Sequence, residues 1–324
     1  DKPESIGEIL VKDEMKYLGV NINNTRNLFK KHREEKIALA RKMANMTYSV
    51  VARSSDRLLI GKTYWKSVVL PSVLYCSGVV AWSREDLDKL QRIENSVWRQ
   101  ILGAPSYAPI ASMRGDVGAS CMVARDMKTK LKYIKYAMNS DNKLLNTVCQ
   151  NMFRKDCDPI CKTIKKYMES LKIGNIYELN HMTDLELMDC INRLDSEQWL
   201  EELENKKTLS IYKKYKTKIQ EETIYDNSFG SKLLFRARSN SLELFWRNVF
   251  SGGDVSCKLC NRDVNESLEH FIGECEGLVG IRNSYGVNGA KIEEILQFNG
   301  NIDVSISKQF LTAAWGARQS IIKN

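Results

Sequence analysis

The first 24 residues hold a short apolar run, "EMKYLGVNINN" (14–24), which ends in a Gly-Val-Asn turn and predicts a strand or hairpin. From about Asn24 the spacing becomes helical. Leu39, Met43, Met46 and Val50 step by four, three and four, which places them on one helix face. A further helix is expected before Pro71. Another covers "REDLDKLQRIENSVWRQILG" (84–103), with Leu87, Leu90, Ile93 and Val97 facing inward and Gly103 as the stop. "GAPSYAPIASMRGDVG" (103–118) reads as the clearest turn-rich loop, because it holds two of the five prolines. Helical spacing then runs to about residue 205, with no strand-period segment and no internal repeat. "SGGD" (251–254) breaks the chain, and "AAWGARQSIIKN" (313–324) reads as a closing helix. The pattern predicts a mainly α protein: helices with a short N-terminal β-hairpin and one small cysteine-rich knuckle.

Composition sharpens this picture only in its charge. The 324 residues are 43% hydrophobic and 27% charged, ordinary for folded protein and wrong for disorder. Lys and Arg outnumber Asp and Glu by 49 to 40, a net charge of +9. That excess points to an anionic partner, most often nucleic acid, although a basic enzyme without one has the same composition. The cations fall in two tracts. Over 26–42, Arg26, Lys30, Lys31, Arg33, Lys36, Arg41 and Lys42 face only Glu34 and Glu35. Over 206–238, Lys206, Lys207, Lys213, Lys214, Lys216, Lys218, Lys232, Arg236 and Arg238 face only Glu221, Glu222 and Asp226. Tyr212, Tyr215, Tyr225, Phe229 and Phe235 are interleaved with this second tract. Rings so placed either stack on bases while the cations meet phosphate, or form the inner face of amphipathic helices.

Nine cysteines raise the question of disulfides. No cleavable apolar leader is seen, and a chain of this size has no need of staples. Cys76, Cys121, Cys149 and Cys190 read as small core residues, and Cys157 and Cys161 as thiols. The longest apolar stretch, "SVVLPSVLYCSGVVAW" (67–82), is too short for a membrane span and is interrupted by Pro71 and Gly78. These readings predict a reducing compartment and no membrane partner.

The remaining cysteines form the most specific signal, Cys257-x2-Cys260-x9-His270-x4-Cys275. Cys-x2-Cys lets two thiolates grip one tetrahedral ion from a tight turn, and a His and Cys five apart can complete the sphere. Four protein ligands leave no place for water, so the expected cofactor is structural zinc. No second His lies near, and no His-x-Glu element precedes the cysteines, so deaminase-type chemistry is not expected. Between 254 and 276 Asp254, Asp263, Glu266, Glu269, Glu274 and Glu276 outnumber Lys258 and Arg262. The knuckle surface should therefore repel phosphate, and nucleic-acid contacts are expected from the basic helices before it. There is no Asp-Asp pair, P-loop, HExxH or GxSxG, and no catalytic residue is predicted. His32 and His181 read as surface or capping residues.

Several stretches, in this order, resemble the C-terminal part of non-LTR (LINE-type) retrotransposon reverse transcriptases. "KYLGVNI" (16–22) resembles the hairpin after the palm, with Tyr17, Leu18 and Gly19 as a primer-grip-like tip. "VLPSVLYCSGVVAW" (69–82) and "LQRIENSVWRQILGAP" (90–105) resemble the thumb and the region beyond it. "LLFRARSNSLELFW" (233–246) with the Cys-Cys-His-Cys set resembles the C-terminal zinc-knuckle region. The resemblance implies four consecutive segments: the end of the palm (1–24), thumb helices and following loop (25–118), a helical RNA-binding linker (119–250), and knuckle with closing helix (251–324). It implies a template–primer and RNA- or DNA-binding role. Lys30, Lys31, Arg33, Lys36, Arg41 and Lys42 would lie on the template–primer. Lys213, Lys214, Lys216, Lys218, Arg236 and Arg238 would lie on structured RNA or target DNA. Palm aspartates and their Mg would precede Asp1, so the chain alone is expected to be inactive. The segment after Cys275 looks too short for a restriction-like endonuclease, and retroviral nucleocapsid knuckles have a shorter Cys-to-His gap. Partners would be an RNA template, a DNA target or primer and the rest of the polymerase, acting in nucleus and cytoplasm. Two other readings stay open: a domesticated, non-enzymatic zinc-bearing binder, and a protein-interaction scaffold whose charge is incidental.

Overall fold

The computed structural model describes residues 5–6, 9–10, 12–24, 27–54, 56–155, 159–260 and 262–323. Arg26 and Cys157 therefore lie outside the described residues. Two antiparallel ribbons come first, β1 (Ser5–Ile6) with β2 (Ile9–Leu10) and β3 (Glu14–Tyr17) with β4 (Val20–Asn23). Tyr17 pairs with Val20, so the turn is Leu18-Gly19, one position earlier than the sequence pattern placed it. Both turn residues have positive φ, 45° and 81°, the twist that a two-residue hairpin requires and that glycine supplies readily.

Helices make up the rest. They are α1 (Lys30–Val51), α2 (Arg57–Tyr64), α3 (Leu70–Val73), α4 (Arg84–Leu102), α5 (Ile110–Val117), α6 (Met122–Met138), α7 (Lys143–Lys155) and α8 (Pro159–Ser170). After these come α9 (Ile176–His181), α10 (Asp184–Glu204), α11 (Ser210–Tyr215), α12 (Phe229–Arg238), α13 (Val279–Ser284), α14 (Ile292–Ile295) and α15 (Val304–Lys323). A π-helical turn, Trp65–Val69, links α2 to α3. The expected class, mainly α with an N-terminal β-hairpin, is the class observed.

Two compact units emerge, one from 1–47, 63–94 and 120–198, the other from 48–62, 95–119 and 199–324. The four consecutive segments expected from the sequence do not coincide with them, because each unit gathers three separated stretches. In the first unit, Leu131, Ile134 and Ala137 of α6 pack with Ile164 and Met168 of α8 and with Leu179, Leu187 and Ile191. Its interior also holds a fully buried Lys130–Asp126 pair. The Tyr167 hydroxyl donates to Asp126 at 2.7 Å, and Lys130 donates to the Ser77 carbonyl at 3.0 Å. Burial pushes the Asp126 carboxyl up and the Lys130 ammonium down; each opposes the shift of the other, and the Tyr167 bond opposes that of Asp126 as well.

The second unit packs Leu233, Leu234 and Ala237 of α12 against Phe310, Leu311 and Ala314 of α15, with Leu268, Phe271 and Leu278 beside them. At its polar centre lies Asp116, fully buried. The carboxylate accepts two bonds from Arg238 (3.0 and 3.1 Å), one from the Tyr212 hydroxyl (2.8 Å) and one from the Tyr225 hydroxyl. Arg238 also donates to the carbonyls of Leu296 and Gln297 and lies 4.1 Å from the Phe298 ring centroid.

Three local expectations need correction. On α1 the buried positions are His32, Arg33, Ile37, Ala40, Met43, Ala44, Thr47 and Val51, whereas Met46 (47% exposed) and Val50 (43%) face solvent. The true stripe also uses small residues, which a search for large apolar side chains passes over. Residues 110–117, read as loop, are the buried helix α5. Pro109 ends the extended entry and Gly118 (φ 66°) closes the far end, so the residues taken as loop signals are the helix's start and stop. His32 is 1% exposed and belongs to the interior; His181 is exposed at the end of α9, as expected. On α4 the expectation holds, with Leu87, Leu90, Ile93 and Val97 all buried and Gly103 in the left-handed conformation.

Candidate metal centre

Cys257 and Cys260 sit in a narrow loop closed by an isolated antiparallel bridge between Ser256 and Asn265. The Cys257 amide donates to the Val264 carbonyl at 2.8 Å, which folds the loop back on itself. The sulfur of Cys257 is faced by the backbone N–H groups of Leu259 and Cys260, and that of Cys275 by the N–H of Gly277. Amides aimed at sulfur favour thiolate over thiol. Gly277 is required here for space, since a Cβ would run into the Leu259 carbonyl of the Cys257–Cys260 turn.

His270 and Cys275 are five residues apart, and the helix between them is not an α-helix. In α geometry such residues point about 140° apart around the axis. Residues His270–Glu274 instead form a π-turn, in which the Cys275 amide donates to the His270 carbonyl at 2.7 Å. The widened turn brings both side chains to one side. Sulfurs of Cys257 and Cys275 lie 3.8 Å apart, and the Cys260 sulfur lies 3.5 Å from His270 Nε2. All four ligand atoms fall within 4.8 Å of one another, with three of the four residues buried and Cys260 half-buried. Such a cluster can hold one metal ion. The sequence-predicted ligand set is thus brought together in full.

Without an ion this cluster disfavours charge. Burial, then the neighbouring Cys257 sulfur, pushes the Cys275 thiol up to about 12, and burial raises Cys257 as well. A divalent cation reverses that balance by neutralising the thiolates. His270 Nδ1 lies 3.9 Å from the exposed Glu274 carboxylate, on the side of the ring away from Cys260. Lys258 pairs with Asp254 and Arg262 with Glu276, so both cations of the knuckle are neutralised locally.

The twelve expected nucleic-acid contacts divide sharply. Arg33 is buried, donating to Asp86 (2.8 Å), the Ala81 carbonyl and Asn27. Lys216 is buried on Glu222 and the Gln220 carbonyl, and Arg238 is buried on Asp116. These three are internal supports, a correction to the sequence reading, because folding brought a carboxylate to each. Lys31 pairs with Glu14, Lys213 with Glu204, and Lys36 donates to the Ser72 carbonyl. Lys30, Arg41, Lys42, Lys214 and Lys218 are exposed, with no carboxylate at ion-pair distance among the described residues; Arg236 is half-buried. Of the interleaved rings, Tyr212, Tyr225 and Phe235 are core, Tyr215 stacks on Phe298 at 5.5 Å, and only Phe229 is half exposed. At the hairpin tip Tyr17 and Leu18 are 60% and 73% exposed, and the Leu18 carbonyl accepts the Tyr75 hydroxyl at 3.0 Å. None of the helices, among the described residues, is long and apolar enough to cross a membrane. No protein-family model, curated relative or solved structure matches the chain.

Proposed function

We propose that this chain is the zinc-bearing template–primer and RNA- or DNA-binding portion of a non-LTR retrotransposon RNA-directed DNA polymerase. The metal in this reading is zinc. Bond lengths of about 2.3 Å to sulfur and about 2.05 Å to nitrogen give tetrahedral edges of about 3.8 Å (S–S) and about 3.6 Å (S–N). The Cys257–Cys275 and Cys260–His270 separations are 3.8 and 3.5 Å. Four protein ligands leave no open position, so the ion holds the knuckle and does no chemistry. Polymerase chemistry would come from a palm, as the sequence resemblance implies.

The observation that carries the binding role is the division of charge. The knuckle neutralises its own cations, whereas Lys30, Arg41, Lys42, Lys214 and Lys218 stand exposed without an ion-pair partner among the described residues. Unpaired surface cations attract phosphate, and binding that releases counterions weakens steeply with salt. The test is fluorescence anisotropy of the purified chain with a labelled RNA–DNA hybrid and with single-stranded RNA across a salt series. Binding with a slope of several in log Kd against log salt is expected, and joint replacement of Arg41, Lys42, Lys214 and Lys218 by Gln should flatten it. Absence of binding at about 0.1 M salt would leave a protein-interaction scaffold as the better reading.

A further inference from the structure

Three helical segments of the second unit, from α2, α4 and α12, meet at the C-terminal end of α4. Helix α2 packs there through Gly61, which has no room for a Cβ beside Ile101. Helix α12 packs there through Lys232, whose stem would lie 2.6 Å from a Cβ at Gly103. Arg236, one turn further along α12, donates from Nε to the Gly103 carbonyl at 2.8 Å. Arg57 opens α2 one turn before Gly61, and Arg99 lies in the last turn of α4. Each approaching element thus brings a cation.

We infer that Arg57, Arg99, Lys232 and Arg236 form a phosphate-binding cluster that takes a backbone phosphate of the bound nucleic acid. The inference rests on the binding role proposed above and adds a site to it; Arg57 and Arg99 belong to neither basic tract of the sequence.

A helix C-terminus favours a nearby cation, but Arg236 alone satisfies that requirement at Gly103. The other three have no such need. Among the described residues none of the four forms an ion pair, and the buried Nε atoms of Arg57 and Arg99 have no hydrogen-bond partner. Acids nearby in the chain are engaged elsewhere: Asp56 accepts the Leu59 amide, Glu221 pairs with Lys62 and Asp226 with Lys308. Burial, followed by the charges of Arg57 and Arg236, lowers the Lys232 ammonium from its ordinary value. Grouped, partly desolvated cations without a counter-charge cost free energy, and an anion removes that cost. Guanidinium forks match the oxygens of phosphate in pairs, and all four residues remain half-exposed, so a ligand can reach them.

The double variant Arg57→Gln/Lys232→Gln tests this against the wild-type chain, with two probes. One is the thermal midpoint with and without inorganic phosphate; the other is the salt dependence of binding to a labelled RNA–DNA hybrid. Expected results are a phosphate-induced rise in midpoint for the wild type that the variant lacks, and a salt slope lower by about 1–2 in the variant. Relief of like-charge repulsion should leave the unliganded variant at least as stable as the wild type. If the wild type binds the hybrid and the variant matches it in slope and phosphate response, the cluster is not a site while the binding role stands. A wild type that responds to phosphate but ignores the hybrid overturns the nucleic-acid assignment and keeps a site for free phosphate. A variant that melts several degrees lower without ligand makes the cluster structural and overturns the inference.

Discussion

Arg318 of α15 grips Glu266 of the knuckle loop through two bonds of 2.7 Å, from Nε and from Nη2. Glu266 also accepts the Phe245 amide at 2.7 Å, and the guanidinium lies over the rings of Phe245 and Trp315. Both charges are nearly inaccessible, at 4% and 1% exposure. The closing helix and the knuckle loop are therefore joined by a buried, doubly hydrogen-bonded ion pair.

Breaking one side of that pair should be expensive. Glu266→Gln leaves the Arg318 charge buried and uncompensated, and is expected to lower the unfolding free energy by about 3–5 kcal/mol in urea titration. Replacing both, as Glu266→Leu with Arg318→Met, should cost clearly less than the single change. Equal costs would mean that the pair contributes through packing alone.

Metal removal should unfold the same region. One equivalent of zinc per chain is expected by release into a colorimetric chelator, and stripping it should lower the thermal midpoint until zinc is restored. Cys257→Ser should lower metal content, stability and nucleic-acid affinity together. Loss of affinity at unchanged thermal stability would show that the metal acts on the ligand directly.

The π-turn makes a sharper test of the same centre. Inserting one alanine after Gly273 should leave the histidine and cysteine about 120° apart around the helix axis and turn them away from one another, abolishing zinc binding. Gly273→Ala, whose new methyl meets nothing within 4 Å, should keep the metal. Zinc stoichiometry of the two variants decides the matter.

Acid should weaken the first unit through Asp184. Hydrogen bonds from Lys132 and Lys135 hold this carboxyl below its ordinary value of 3.8. A depressed folded value means that the stabilisation is present above pH 3.8 and is lost as pH falls through the folded value. Asp184→Asn should flatten that acid limb in denaturation curves, and leave stability near pH 7 little changed because the pair is exposed.

Arg238 and Lys218 belong to one basic tract of the sequence but should behave oppositely. Arg238→Gln removes the partner of buried Asp116 and is expected to lower stability by about 3–5 kcal/mol. Lys218→Gln should leave the melting curve unchanged and reduce only the salt-dependent affinity for RNA. Reversal of that pattern would contradict the internal role assigned to Arg238.

Features set by neighbours in the chain were legible before any coordinates. The ligand quartet Cys257, Cys260, His270 and Cys275 could be read because two short local turns carry it. The inner face of α4 could be read because Leu87, Leu90, Ile93 and Val97 repeat with the helix, and the N-terminal hairpin because its tip holds glycine. What each charge meets was not legible, since its partner lies far along the chain. Arg33 finds Asp86 and Arg238 finds Asp116, which turns two expected nucleic-acid contacts into internal supports, and Arg318 finds Glu266. Helix α5 was hidden for a related reason: its polar, glycine-bearing sequence is helical because the second unit buries it, not because of its own propensity. The convergence of Arg57, Arg99, Lys232 and Arg236 on the end of α4 has no sequence period at all. Local spacing decides which elements form and which ligands share a turn; desolvation and Coulomb energy, which depend on distance in space, decide which charges are buried in pairs and which remain free for an anion.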